Sequence, residues 1–471
     1  MHIYCINTVF YSKISYIYLH GVNQYMQFID GGVTAPKGFY ANGMLCGIKA
    51  GRTKEDTALI VSEKPCTAAG VFTQNKVKAE PVKLTKMRVS RHRAQAVIAN
   101  SGNANACTGD QGANVAVRMA HAAATALSNA GGLAAGDAEW DKIDEDDVLV
   151  CSTGVIGQQL PVEVIENNID ELVKGLSKEG HEKARRAIMT TDTRFKEVAV
   201  EFELGGKPVR LGTMAKGSGM IHINLGTMLG FITTDCAISG EMLEAALRES
   251  VAGTYNCVSV DGDTSTNDTL LVLANGMAGN AEITAKGADY DAFLAALNML
   301  NTMMAKKIAA DGEGASHLLE CNVTGAVDVD TARKLAKSVI SSSLVKAAFF
   351  GKDANWGRIL CALGYSGEFF TPEKCSVSFK SGSALTEEER AAYKEAGYGS
   401  EAADGGKSAG GYIKVFDHGV PLDFDEDLAK IVLTEGAVQI LVELEDGDAA
   451  GTAWGCDLTY EYVKINGDYR T

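Results

Sequence analysis

Apolar runs and longer mixed stretches alternate along this chain. Residues 58–61 (Ala-Leu-Ile-Val), 96–99 (Ala-Val-Ile-Ala) and 148–150 (Val-Leu-Val) are short β-rich runs and predict strands. Residues 113–130 are Ala-rich and closed by Gly131-Gly132, the pattern of a helix with a glycine stop. A second helix is predicted from Pro161, which suits a first helical turn, to residue 176. Gly205-Gly206-Lys207 reads as a hairpin turn between strands at 200–203 and 209–211. Pro208 then opens the second strand, where proline is tolerated. A long helix is predicted over 290–310, and strands again over 438–443 and 459–464. Residues 397–411 read as a loop, and the acidic stretch 137–147 as a solvated one. No internal repeat is visible. The fold class predicted is α/β, a layered sandwich of mixed β-sheets and helices, without the regular alternation of a barrel.

A length of 471 residues favours two or three domains or one large layered fold. Apolar content of 46% and charged content of 22% fit a soluble protein with a large core. The net charge of −16, with no block of Lys or Arg, argues against nucleic acid and against anionic membranes as partners. Eleven scattered cysteines form no CxxC pair, so neither a zinc knuckle nor a redox dithiol is signalled. Several lie in apolar runs, as at Val150-Cys151 and Leu360-Cys361. They read as small buried hydrophobes in a reducing compartment, which makes the cytoplasm the expected location. No run reaches transmembrane length. Residues 1–25 lack the basic start of a signal peptide and read as an extension or mis-assigned start, with the folded protein beginning near Met26.

Most familiar catalytic machinery is missing. No histidine pair has metal-ligand spacing, and His121 and His222 read as a packed or surface histidine. There is no GxSxG elbow and no phosphate loop, and Gly217-Ser218-Gly219 lacks the third glycine of a dinucleotide fingerprint. Neither metal nor cofactor is expected. One Gly-Thr step, Gly226-Thr227, follows Lys216 within a mostly apolar run. In an arbitrary sequence it would be a buried strand. As chemistry, the Thr227 hydroxyl could attack the Gly226 carbonyl, and hydrolysis of the ester would free an N-terminal threonine. Its own amine, with an ordinary pKa of ~7.7–8, could then activate its hydroxyl. Thr153-Gly154 follows a β-rich run and could aim a hydroxyl and a backbone N–H at one point, as an oxyanion requires. An ordinary strand-to-helix turn is the bland alternative. The Asn- and Gly-rich segments 31–38, 70–75 and 99–105 read as structural turns. The run 259–269 (SVDGDTSTNDT) does not fit a calcium loop and reads as a loop near the site.

Together, several motifs resemble the ornithine acetyltransferase family, the bifunctional glutamate N-acetyltransferases of arginine biosynthesis. They are TTDT from Thr190, KGSGMI from Lys216, GTMLGFITTD from Gly226, SVDGDTSTNDT, GEGASH from Gly312, GKDANWGRI from Gly351 and the end of the chain from Cys456. The match runs in family order from about Gly31 to Thr471. It implies an N-terminal-nucleophile-like fold that cuts itself between Gly226 and Thr227, giving an α-chain (26–226) and a β-chain (227–471). Thr227 would carry acetyl from N2-acetylornithine to glutamate, Thr153 and Gly154 would form the oxyanion hole, and no cofactor is needed. Thr190, Lys216, Thr227, Glu313, Asn466 and Thr471 would contact substrate. The resemblance also implies an α2β2 heterotetramer, and its members differ in whether acetyl-CoA serves as a second donor. Gly226 departs from the family pattern, which has alanine there, and Ala354 stands in place of proline. From the residues alone, an amidohydrolase or aminopeptidase with the same nucleophile, or an uncut structural protein, remains open.

Overall fold

The structure, a computed structural model, describes residues 8–11, 14–19, 24–49, 51, 53–133, 139–222, 228–381 and 411–467. The central strands of its larger sheet are apolar on both faces because both faces are covered. In the strand Arg93–Asn103, Ala96 and Ile98 enter one core and Val97 and Ala99 another. In Val148–Val155, Val148 and Val150 part from Leu149 and Cys151 in the same way. Side chains alternate across a strand, so such double burial needs an unbroken apolar run.

Among the described residues the larger sheet has eleven strands. From one edge they run Thr8–Tyr11, Ile14–Leu19, Gln24–Ile29, Lys196–Leu204, Lys207–Lys216, Leu229–Thr234, Thr269–Ala274, Thr57–Phe72, Arg93–Asn103 and Val148–Val155. Phe39–Met44 also pairs with Thr57–Phe72. The second sheet has eight: Ile221–His222, Val258–Thr264, Ala449–Cys456, Leu318–Ala326, Ala437–Glu443, Ser376–Ser381, Tyr412–Asp417 and Val420–Pro421. Parallel and antiparallel pairs occur in both. The helix Ala288–Ala310 lies between the sheets, touching Lys196–Leu204 of one and Ala449–Cys456 of the other. It is apolar around its girth, with Leu297, Leu300, Met304 and Ile308 fully buried, as a helix covered on two sides must be. Each such side chain contributes roughly 1.5–3 kcal/mol of burial free energy. The layered mixed α/β architecture is therefore as the sequence predicts. No helix among the described residues is long and apolar enough to cross a membrane.

Most predicted elements are present and longer than expected. The Ala-rich helix is Gly109–Ala130, ended by Gly131 at φ 62°. The hairpin turn at Gly205-Gly206 has both residues at positive φ, 54° and 76°, joining Lys196–Leu204 to Lys207–Lys216, of which Pro208 is the second residue. Four expectations need correction. The single helix 161–176 is two, Val162–Glu166 and Ile169–Lys174, parted at Asn167-Asn168. Asn168 Nδ2 donates to Val164 O at 2.8 Å, the side-chain competition that makes asparagine a poor interior helix residue. The strand over 459–464 is the helix Tyr460–Gly467 instead, because Thr459 Oγ1 accepts from Glu461 N at 3.2 Å and opens a helical turn. Asp147, placed in a solvated loop, is buried and pairs with Arg91 and Arg93. Cys361 is exposed, since its helix Trp356–Gly364 buries Ile359, Ala362 and Leu363. Two strands, Thr8–Tyr11 and Ile14–Leu19, precede Gln24–Ile29 at the sheet edge. The loop 397–411 lies outside the described residues except for Gly411.

Candidate active site

The site forms where strand ends and three loops meet. The strand Val148–Val155 pairs in parallel with Arg93–Asn103 and loses register at Gly102-Asn103. Gly154 sits there at φ 134°, and a Cβ on it would lie 2.3 Å from Gly102 C and 2.5 Å from Asn103 N. Only glycine fits both the angle and the space. The bend leaves Thr153 and Gly154 lining a cleft of about 230 Å³. Lys216, the last residue of Lys207–Lys216, reaches Thr153 with a long hydrogen bond of 3.5 Å from Nζ to Oγ1. The Thr153 hydroxyl accepts that bond, so its own proton is free to point into the cleft.

A buried charge network sets the neighbouring loops. Asp192 Oδ1 accepts from Lys196 Nζ and from Gly217 N, both at 2.7 Å, and its Oδ2 accepts from Thr190 N at 3.1 Å. Lys196 also pairs with Asp311, which accepts from Thr193 N at 3.1 Å. Ser218 Oγ donates to Asp311 O at 2.6 Å, and Glu313 N to Ser218 O at 2.9 Å. The segments from Thr190, Lys216 and Asp311 are thus one knot. Burial pushes the Asp192 carboxyl up, but Lys216 and Lys196 outweigh it and hold it below the usual carboxylate range.

Glu313 and Asn466 also line the cleft. Asn466 Nδ2 donates to Glu313 Oε2 at 2.7 Å. Its helix is tied back by Thr459 Oγ1, which donates to Gly314 O at 2.7 Å. Gly219 gives Glu313 its room, since a Cβ there would lie 2.2 Å from Oε2. The loop Ser265-Thr266-Asn267 completes the cleft. Asn267 Nδ2 donates to Ser152 O at 2.8 Å and to Ala104 O at 2.6 Å, fixing the peptide that precedes Thr153. Thr73 Oγ1 and Asn75 Nδ2 hold the same loop through Ser265 O and Thr264 O.

Six of the predicted site residues, Thr153, Gly154, Thr190, Lys216, Glu313 and Asn466, therefore line one cleft. Gly226, Thr227 and Thr471 lie outside the described residues; Leu229 pairs with Lys216 of the cleft. Asn267 and the Asp192–Lys196–Asp311 network were not singled out from the sequence. The motifs holding Asn267 and Asp192 were, those of Lys196 and Asp311 were not, and a buried charge cannot be told from a surface one without its partners. The asparagine-rich segment 99–105 is structural as read: Asn100 Nδ2 donates to Asn103 O and Asn105 Nδ2 to Gly112 O. Asp261 spends its oxygens on the amides of Met220, Ile221 and Asp263. His222 bonds Ser259, and burial, aided by Lys337, pushes it down to about 4.

Relatives give this arrangement a class. The sequence model described as the ArgJ family matches residues 40–471. The arginine biosynthesis bifunctional protein ArgJ of Caldanaerobacter subterraneus subsp. tengcongensis is 46% identical over 95% of this chain and 100% of its own. That of Symbiobacterium thermophilum is 47% identical over 95% and 100%. Among solved structures, the ornithine acetyltransferase of Mycobacterium tuberculosis complexed with ornithine is 41% identical, covering 42% of this chain and 97% of that one, with a TM-score of 0.37. An α/β acyltransferase of arginine biosynthesis is the class so defined. The chain belongs to the ArgJ family.

Proposed function

We propose that this enzyme transfers acetyl from N2-acetylornithine to glutamate through an acetyl-Thr227 intermediate, after cutting itself between Gly226 and Thr227. The observation that carries the reading is the pairing of unlike ends in one cleft. Thr153, Gly154, Lys216, Glu313 and Asn466 all line it, so a lysine ammonium and a glutamate carboxylate share one cavity. An amino acid with an α-carboxylate and a charged side chain is complementary to such a cleft. Lys216 binds the carboxylate shared by N2-acetylornithine and glutamate, and Glu313, aimed by Asn466, holds the ornithine ammonium.

In the first half-reaction the Thr227 amine takes the hydroxyl proton as Oγ attacks the acetyl carbonyl. The Thr153 hydroxyl and Gly154 N–H hold the oxyanion, and collapse returns the proton to the departing ornithine amine. In the second, the glutamate amine attacks acetyl-Thr227 and the same donors serve in reverse. One fixed donor pair suits both steps because the same charge develops twice. The cyclic reaction needs no cofactor, and acetyl-CoA would enter only as an alternative donor. Strands on either side of the cut pair directly, as Leu229 does with Lys216. The two fragments would thus stay joined, consistent with an α2β2 assembly in the cytoplasm.

The test is an intact mass spectrum before and after incubation with N2-acetylornithine in the absence of glutamate. Two fragments, the second beginning at Thr227 and gaining one acetyl, are expected. Added glutamate should discharge the acetyl and accelerate turnover. If water discharges it as fast as glutamate does, the enzyme is an amidohydrolase. An uncut chain that turns over N2-acetylornithine, or activity surviving Thr227→Ala, would overturn the mechanism.

A further inference from the structure

A second cavity, of about 460 Å³, has twice the volume of the active cleft and no place in the transfer scheme. Its size lies within the ~300–1,000 Å³ usual for small-molecule sites. The end of the strand Thr57–Phe72 lines it, together with Lys78, Lys86, His92, Glu244 and Arg248. Lys78 stands in the loop after that strand and Lys86 on the helix Glu80–Val89. His92 lies just past the same helix, and Glu244 and Arg248 on the helix Gly240–Gly253. Three permanent cations thus share the cavity with one carboxylate, in a chain whose net charge is −16. Like charges gathered in a concave surface repel one another and focus their field, so the cavity attracts an anion.

The carboxylate is already engaged. Arg248 Nε and Nη2 donate to Glu244 Oε1 at 2.9 and 2.7 Å, and His92 Nε2 stands 3.7 Å from Oε2. Both lysines are left over. Lys78 Nζ donates at 2.7 Å to a neutral acceptor, Asn75 O. Lys86 has neither ion pair nor hydrogen bond among the described residues. The nearby acid Glu80 is taken by Lys83 at 2.7 Å. His92 is held at φ 52°, a region that side chains rarely occupy. Its Nδ1 donates to Ala68 O at 3.3 Å, and its carbonyl accepts from Ala68 N at 3.1 Å. Gly240 makes room for the ring, since a Cβ there would lie 2.5 Å from Cγ. Backbone strain kept at a cavity wall points to use.

The wall of this cavity also holds a loop of the active cleft. Thr73 and Lys78 line the cavity, and residues 73–79 are tied to residues 264–268 by four hydrogen bonds. Thr73 N donates to Asp268 O at 3.0 Å and Thr73 Oγ1 to Ser265 O at 2.7 Å. Asn75 Nδ2 donates to Thr264 O at 2.9 Å and Ala79 N to Thr266 O at 3.0 Å. Ser265, Thr266 and Asn267 line the active cleft. We propose that the second cavity binds a phosphate-bearing small molecule, gripped by Lys78 and Lys86, and that its occupancy stiffens the 264–268 loop of the cleft. A phosphate group suits the cavity better than a lone carboxylate, because it carries roughly two charges and three strong acceptor oxygens. The lysine ammonium, a compact charge with three donors, is a common partner for it. The acetyl-transfer reading gives these residues no role, so the site stands beside that reading.

The test is equilibrium dialysis with inorganic pyrophosphate and with ADP, on the native enzyme, Lys78→Ala, Lys86→Ala and the double variant. One saturable site per chain is expected, weaker at higher salt. Each single substitution should weaken binding by about tenfold, the loss of one charge-assisted hydrogen bond, and the double variant should abolish it. Lys86 is exposed, so Lys86→Ala should keep the native fold even if Lys78→Ala does not. Tighter binding of ADP than of pyrophosphate supports a nucleotide as the ligand, and equal binding supports recognition of the phosphates alone. No saturable binding of either probe, or binding that the double variant retains, overturns the site. Hydrogen exchange reads the second half of the proposal. Bound probe should slow exchange of the amides of residues 73–79 and 264–268 by about tenfold, and unchanged exchange at saturation overturns the link to the cleft. Both readouts are independent of turnover. Failure to form acetyl-Thr227 would sink the transfer reading and leave this site to stand or fall on its own binding.

Discussion

Lys216 and Thr153 touch, with Nζ 3.5 Å from Oγ1, although their strands are not neighbours. Leu229–Thr234, Thr269–Ala274, Thr57–Phe72 and Arg93–Asn103 all lie between them in the sheet. Strand twist accumulates across a wide sheet and can bring distant strand ends together. The contact orients the Thr153 hydroxyl as an acceptor toward Lys216 and a donor toward the cleft. Thr153→Ala should therefore lower kcat for acetyl transfer by roughly 10²–10³ with little change in KM. Thr153→Ser keeps the hydroxyl and should retain most of the rate. Steady-state kinetics on both variants checks this, and equal losses would remove the hydroxyl from the reaction.

Gly154→Ala is a different kind of lesion. At φ 134° an L side chain is strained, and its Cβ would meet backbone atoms of Gly102 and Asn103 at 2.3 and 2.5 Å. Backbone cannot step aside as a side chain can. The variant should lose about 1–3 kcal/mol from the strained angle and more from the clash. It should also misplace the N–H of residue 154. A lower urea midpoint accompanied by loss of turnover is expected, and a variant of native stability would contradict the geometry.

The apolar runs at 58–61, 96–99 and 148–150 disclosed their strands because double burial leaves no polar position in them. The Gly205-Gly206 turn was legible because two positive φ angles in succession are cheap only for glycine. Residues 459–464 were not legible, since Thr, Tyr and Val suit a strand and the deciding hydrogen bond, Glu461 N to Thr459 Oγ1, is a local turn bond that side-chain pattern does not show. In the site, Thr153, Lys216 and Glu313 were named through resemblance rather than spacing. Nothing along the chain shows that residues 153, 216 and 313 share a cleft. Asp192 went unassigned because its meaning lies in burial.

Asp192 makes a pH-dependent contribution to stability. Its folded pKa lies below the ordinary ~3.9 because Lys216 and Lys196 outweigh burial. A group depressed on folding stabilises above its unfolded pKa, and the benefit is lost as pH falls through the folded value. Asp192→Asn leaves Lys196 with Asp311 alone and should cost about 3–5 kcal/mol at pH 7. The gap between the variant and the native protein should narrow below about pH 4. Urea unfolding at pH 7 and pH 3 measures it, and a gap unchanged between the two would show that the charge of Asp192 is not what stabilises the knot.

Gly219 tests whether Glu313 is a substrate contact or only part of the wall. A Cβ at residue 219 would lie 2.2 Å from Glu313 Oε2 and 2.5 Å from Oε1, the movable end of a side chain. Gly219→Ala should therefore displace the Glu313 carboxylate and break its 2.7 Å bond to Asn466 while leaving the fold intact. If Glu313 holds the ornithine ammonium, KM for N2-acetylornithine should rise about tenfold, the loss of one charge-assisted hydrogen bond of roughly 1.4 kcal/mol or more. Glutamate has no such ammonium, so its KM should change less. A parallel rise for both substrates would assign Glu313 to the architecture of the cleft, and an unchanged KM for both would mean that the carboxylate moves without consequence.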